Sequence, residues 1–148
     1  MATLVILRGL PASGKSTWAR KCVTNHPDTI IVSLDGLRRM TAGSLAAYHA
    51  HRTATTEKLI VRTAHAMVCD ALRKGLNVIM DAQNANMERV HELVGLAADC
   101  NADVQTVAFP VPLDTLLERN RHRAEDDQVP EEYLRAQYER YTDSISTP

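Results

Sequence analysis

Aromatic residues are scarce in this chain: one Trp, one Phe and four Tyr among 148 residues, 4% of the total. A groove that grips single-stranded nucleic acid by stacking needs rings. Only Tyr48, with His49, His51 and Arg52, offers a local version of one. Cysteine is also rare. Cys22, Cys69 and Cys100 lie far apart without C-x-x-C spacing, so the expectation is free, mostly buried thiols in a reducing compartment rather than a disulfide scaffold. No apolar run approaches the length of a membrane span. Polar Arg8 arrives too early for a secretory leader, and a cytoplasmic protein is expected. The histidines lack metal-ligand spacing. Repeats, low-complexity runs and linkers are missing, and the length suits one domain over residues 1–148.

The net charge is −1, but it is unevenly spread. Residues 1–75 carry eleven Lys/Arg against four Asp/Glu; residues 76–148 carry six against fourteen. A basic half helps gather a polyanion. Folding that interleaves the halves would erase the asymmetry at the surface.

What the chain does have is Gly9-Leu10-Pro11-Ala12-Ser13-Gly14-Lys15-Ser16. It reads G-x-x-x-x-G-K-S, the phosphate-binding P-loop pattern. Apolar Leu4 to Leu7 precedes it and a helical-looking run, Thr17 to Val23, follows. That is the strand–loop–helix context the pattern requires. The glycines let the backbone curl so that several N–H groups face one phosphate. A helix starting near Lys15 adds its positive end. Gly9, Pro11, Ala12, Ser13, Gly14, Lys15, Ser16 and Thr17 are the expected contacts to ATP. The Lys15 ammonium is expected at the β- and γ-phosphates and the Ser16 hydroxyl on Mg²⁺.

Further along, Thr29 to Leu34 is β-branched and reads as a second strand that delivers Asp35-Gly36-Leu37-Arg38. Met40 to Arg52 reads as a partly helical, mobile excursion. Thr53 has helix-start chemistry, with Thr56 or Glu57 in the first turn, and opens a long amphipathic helix closed by Lys74-Gly75. Asn77 to Met80 is a third strand ending at Asp81, Met87 to Cys100 a helix and Val104 to Phe109 a fourth strand. Leu113 to Arg123 reads as a helix, Ala124 to Pro130 as an acidic break and Glu131 to Ser144 as a last helix. Strands alternating with helices predict an α/β fold of P-loop NTPase type: a parallel sheet, helices on both faces and a C-terminal helical lid. In such a sheet ligands gather at the carboxyl ends of the strands, so the P-loop, Asp35, Asp81 and Pro110 are expected on one rim.

A P-loop alone specifies nucleotide binding, not a reaction. Asp35 at a strand end can accept a proton from an attacking hydroxyl, or cap the helix that follows. Arg38, one turn on, can fork onto a substrate phosphate. Arg119-Asn120-Arg121-His122-Arg123 crowds three guanidinium groups into five residues. That is either a solvated helix face or a lid aimed at the transferring phosphoryl group. At i,i+4, Arg119 and Arg123 are expected to share a face. Trp18, Met67 and Cys69 are expected in the core.

Together these residues resemble the 5′-kinase domain of the phage polynucleotide kinase family. The resemblance starts at Gly9 to Arg20 and continues in Asp35-Gly36-Leu37-Arg38, in Asp81 with Asn84 and Asn86 to Arg89, and in Leu117 to Arg123. Val129-Pro130 and the stretch from Tyr133 to Tyr141 carry it to about residue 142. It implies transfer of the ATP γ-phosphate to 5′-OH ends of DNA or RNA. Asp35 would be the base, and Arg38 would hold the 3′-phosphate of the terminal nucleotide. Lys15 and Arg123 would neutralise the transferring group, with Arg119 assisting. Ser16 would hold Mg²⁺, Asp81 would support the metal or the site, and Val129 and Pro130 would pack near the adenine. Arg52 is added as a candidate contact to the acceptor. This chain departs from the family pattern in placing Ala12 at the second P-loop glycine, in a longer Asp81 loop, and in lacking an Asp-x-Asp-Gly-Thr phosphatase signature. A small-molecule kinase on the same scaffold and a non-catalytic nucleotide switch are the competing readings.

Overall fold

The computed structural model describes residues 1–146; the last two positions of the expected 1–148 unit lie outside the described residues. Strands β1 (Thr3–Arg8), β2 (Thr29–Ser33), β3 (Asn77–Asp81) and β4 (Asp103–Ala108) form a parallel sheet in the order β2-β3-β1-β4. The helices are α1 (Lys15–Asn25), α2 (Leu34–Ala42), α3 (Leu45–Ala50), α4 (Ala54–Arg73), α5 (Met87–Asp99), α6 (Leu113–Arg121) and α7 (Glu131–Ser146). A 3₁₀ turn, Glu125–Asp127, separates the last two. This is the expected α/β class. The sheet order interleaves strands from the two halves of the chain, so the charge halves are not two separate bodies.

Strand side chains alternate, and both faces are apolar. Leu4, Ile6, Val32, Val78 and Met80 share one face with Ile60, Ala64 and Val68 of α4 and Val90, Leu93 and Ala97 of α5. Leu7, Ile79 and Ile31 face the other way, onto Trp18, Ala19 and Cys22 of α1. Burial on both sides is why β1, β2 and β3 carry continuous apolar runs, whereas β4 at the sheet edge is exposed at Asp103, Gln105, Thr106 and Ala108. The helices divide this way because crossovers are right-handed. From β1 to β2 the chain steps one way across the sheet; β2 to β3 and β3 to β4 both step back. Opposite steps put the linking helices on opposite faces.

A third cluster packs α6 and α7 beside the P-loop, through Leu10, Ala85, Leu116, Leu117, Leu134 and Ile145. Buried Arg8 ties this cluster to the sheet. Its Nε donates to the Asn84 carbonyl at 2.9 Å, its Nη1 to the Ser144 carbonyl at 3.1 Å and its Nη2 to Ser144 Oγ at 2.8 Å. Burial lowers the Arg8 pKa, and the carbonyls supply the acceptors that water would have offered. Asn84 itself sits at φ 45 and donates Nδ2 to the Leu7 carbonyl at 2.7 Å.

Several local expectations are revised. α6 stops at Arg121 with His122 as its cap, so Arg119 and Arg123 are not on one helical face. Gln128 Nε2 donates to the carbonyls of Arg121 and Arg123, which takes up the acceptors a continuing helix would use. The cap of α2 is Ser33, not Asp35: Ser33 Oγ accepts from the Gly36 N–H at 3.0 Å, leaving Asp35 in the first turn. The excursion before Thr53 is α2 and α3, with Leu45 and Tyr48 buried. Met67 is exposed rather than in the core. Cys69 and Cys100, 31 positions apart, bring their Sγ atoms to 3.2 Å, although the three cysteines are free thiols. Thr53 and Thr56 form a reciprocal capping box, and Lys74 caps the other end of α4 before Gly75 at φ 83.

Candidate active site

The carboxyl ends of the strands open onto a cleft of about 1120 Å³. Its floor is the loop between β1 and α1. Gly14 takes the cap position of α1 at φ 97, and no side chain bonds the first turn, so the leading N–H groups remain for a ligand. Ala12 adopts φ 68, a left-handed conformation that a glycine accepts more easily. Gly9 is not on the cleft wall. It lies beneath, where an added Cβ would stand 2.6 Å from Ser13 Oγ and 3.0 Å from Phe109 Cβ. Its contribution in this structure is the close fold of the loop. Pro11, Ala12, Ser13, Gly14, Lys15, Ser16 and Thr17 all line the cleft.

Lys15 is buried and donates Nζ to the Leu10 carbonyl at 2.9 Å. Burial pushes its pKa down to about 8, against upward pulls from Asp81 and Asp35, while Arg123 adds to the downward push. Charges from three separate parts of the chain thus act on one ammonium. Ser16 Oγ donates to Asp81 Oδ2 at 2.7 Å. A hydroxyl and a carboxylate side by side next to a phosphate cradle are the oxygen donors Mg²⁺ takes when bound substrate phosphates complete its shell. The residues present fit that ion. Among the described residues no group of three or more His, Cys, Asp and Glu forms a separate metal cluster.

Arg119 and Arg123 also line the cleft. Arg119 Nη1 reaches the Ala12 carbonyl at 3.4 Å, so α6 touches the P-loop. Val129 and Pro130 line the same wall. They are held there by buried Asn120, whose amide donates to the Val129 carbonyl at 2.8 Å and accepts from its N–H at 3.1 Å. Nothing in the linear pattern assigns Asn120 this duty.

Another part of the same wall is formed by Asp35, Arg38 and Arg52. Arg38 Nη1 donates to Asp35 Oδ1 at 2.8 Å, and Arg38 Nη2 donates to Glu57 Oε1 at 2.5 Å. Burial works against the Arg38 charge, but the hydrogen bonds to Glu57 and Asp35 raise its pKa overall. Burial likewise disfavours the Glu57 charge, and the bonds from Arg38 and Tyr48 bring its pKa below the usual carboxylate value. Tyr48 is buried, hydrogen-bonded through its OH to Glu57 Oε2, and off the cleft wall, as is His51. The expected stacking groove is reduced to His49 and Arg52. Trp18, expected in the core, packs against Leu7 and Ile79 and also lines the cleft, meeting Phe109 edge-on with centroids 6.2 Å apart. Glu57 is the residue that sequence reading missed beside Arg38. In the linear chain it is a first-turn acid, and nothing links it to an arginine 19 positions away.

A parallel sheet with a P-loop after its first strand, a lysine and serine in the cradle and arginines beside it define a P-loop domain with the phosphate-binding parts of the P-loop kinases. The chain belongs to the AAA domain family, which it matches over residues 4–148. It is similar to L-seryl-tRNA(Sec) kinase of Methanococcus maripaludis, at 28% identity over 142 residues covering 93% of this chain and 52% of that protein. It is also similar to a protein of Autographa californica nuclear polyhedrosis virus assigned as a bifunctional polynucleotide kinase/RNA ligase, at 30% identity over 93% of this chain and 20% of that one. Among solved structures, a chain of the Pnkp1/Rnl/Hen1 RNA repair complex superposes with a TM-score of 0.82 at 27% identity, over 97% of this chain and 45% of that one. This chain spans about half or less of the length of these relatives. Among the described residues no helix is long and apolar enough to cross a membrane.

Proposed function

We propose that this chain is a polynucleotide 5′-hydroxyl kinase, moving the ATP γ-phosphate onto 5′-OH ends of DNA or RNA in nucleic-acid end repair. The observation that carries the reading is the Asp35–Arg38 pair at 2.8 Å, on the wall of the cleft whose floor is the P-loop. A base beside a phosphate-binding guanidinium suits an acceptor that carries both a hydroxyl and a phosphate. The viral relative and the RNA repair complex support the same class.

In this mechanism Asp35 accepts the proton of the 5′-OH while that oxygen bonds to the γ-phosphorus and the bond to the β-phosphate oxygen breaks. Lys15, the P-loop N–H groups and Arg123 neutralise charge on the transferring group, and Arg119 braces the β-phosphate side. Ser16 and Asp81 would hold Mg²⁺, which supplies further charge neutralisation at the phosphates when bound. Arg38 receives the 3′-phosphate of the terminal nucleotide, Arg52 a neighbouring anionic group, and Val129 and Pro130 face the adenine.

A second reading is favoured by the seryl-tRNA kinase relative: the acceptor hydroxyl sits on a different group, on RNA or on a small molecule. Labelled ATP offered with a 5′-OH oligonucleotide, a 3′-phosphorylated mononucleoside, seryl-tRNA and a panel of small alcohols separates the two. Label is expected on the oligonucleotide and the mononucleoside. Label confined to seryl-tRNA or to an alcohol overturns the proposal, and transfer to no acceptor points to a nucleotide switch.

A further inference from the structure

We infer that Glu57 is a positioning residue for transfer: it holds the Arg38 guanidinium, which in turn aims the Asp35 carboxylate before any acceptor arrives. The inference rests on the reading above that Asp35 is the base.

The three side chains form a chain of charge-assisted bonds, 2.5 Å from Glu57 to Arg38 and 2.8 Å from Arg38 to Asp35. Exposure gives this chain a direction. The side chains of Glu57 and Arg38 are 15% and 16% exposed, whereas that of Asp35 is 49% exposed and meets the open cleft. The fixed end is Glu57. It stands in the first turn of α4, behind a double-threonine cap, and α4 packs on the sheet through Ile60, Ala64 and Val68. Both of its carboxylate oxygens are claimed, Oε1 by Arg38 and Oε2 by Tyr48 OH, with Arg52 Nη2 a further 3.8 Å away. Arg38 and Asp35 ride on α2, a shorter helix of 9 residues.

The state of Arg38 Nε shows why the grip of Glu57 matters. That atom is buried and has no hydrogen-bond partner among the described residues. A buried donor left unpaired disfavours the conformer that buries it. The bonds at the two Nη atoms hold Arg38 there against that cost, and Tyr48, whose ring centroid lies 5.6 Å from Arg38 Cζ, backs the same group. With Glu57 weakened, Arg38 gains freedom to turn its Nε toward water, and Asp35 loses its guide.

The test is a double-mutant cycle on steady-state transfer, read separately for ATP and acceptor. Glu57→Gln keeps an acceptor atom but loses the charge. It is expected to lower acceptor kcat/KM about 10- to 100-fold, the size of a misplaced reactive group, with the ATP KM unchanged within about twofold. Tyr48→Phe is expected to cost about threefold. Glu57→Gln added to Arg38→Ala should cost almost nothing further, because its effect runs through Arg38. Multiplying losses in the double variant, or a parallel rise in the ATP KM, would overturn the inference in favour of general destabilisation. A different acceptor class, seryl-tRNA or an alcohol, sinks the polynucleotide reading but leaves the cycle readable on that acceptor. Guanidinium NMR gives a second readout without turnover. Arg38 Nη signals should show hindered rotation in the parent protein and lose it in Glu57→Gln; free rotation in the parent would refute the proposal.

Discussion

Two parts of the cleft wall, the P-loop end and the acceptor end, are built on different plans. The P-loop itself is one contiguous segment, residues 11–17, whose geometry follows from a glycine at φ 97 and a helix that begins at Lys15. The acceptor end is assembled from α2, α3 and α4, with bonds that join Glu57 to residues 19 and 9 positions away. Binding a phosphate needs only backbone N–H groups and one cation, so a short loop suffices. Aiming a base at an acceptor needs side chains held from several directions, and that takes tertiary structure.

The largest effects should fall where each end meets the reacting atoms. Asp35→Ala is expected to lower kcat by about 10²–10⁴-fold, the usual contribution of a general base, while equilibrium ATP binding stays within about twofold. Near-normal kcat in that variant would remove the base assignment and with it the contrast between the ends. Lys15→Ala is expected to reduce kcat about 10²–10³-fold and also to weaken ATP binding, because its charge acts in both states. If it changed acceptor KM alone, the assignment of the ends would be reversed.

A smaller, graded effect comes from pH. Free Lys15 titrates at about 8. A bound polyphosphate favours the charged ammonium, so the pKa rises on binding. Between the two pKa values the free protein must take up a proton to bind. ATP affinity should therefore fall as pH rises above about 8, by up to about tenfold per unit, and be flat in this lysine's contribution below about 7. Calorimetry in buffers of different ionisation enthalpy should find up to one proton taken up per ATP at pH 9. Proton release there would contradict it. The smallest effect is expected at Arg39, whose Nη2 pairs with Asp127 at 2.9 Å and links α2 to the turn before α7. Both side chains are partly exposed, so Arg39→Ala should change stability by less than about 1 kcal/mol in a denaturant melt. A larger loss, or a shift in both KM values, would show that the two ends are coupled through this contact.

These plans also decide what could be read from the chain alone. β1, β2 and β3 were visible from their apolar runs, β4 from its β-rich alternation, and α4 because Thr53 and Gly75 punctuate it. Lys15, Ser16 and Asp81 were singled out from local context. The end of α6 was not visible: the chain leaves the helix at His122, and the carbonyls of Arg121 and Arg123 are taken up by Gln128. Ser33 and Asp35 are both capping residue types, and only three-dimensional reach to Gly36 N–H chose between them. Glu57, Asn120 and Arg8 had no linear signature, because what each does is set by partners brought to it by the fold.

Arg8 has a consequence for how the molecule is made. Its contacts run from the first strand to Ser144, a separation of 136 residues. A ribosome adding about 5–20 residues per second releases the partner on the order of ten seconds after the strand. Until then a buried guanidinium waits without two of its acceptors, and Tyr133, Gln137 and Tyr141 of α7 cannot yet wall the cleft. Nascent chains should thus acquire the sheet first and nucleotide affinity last, when the tail docks.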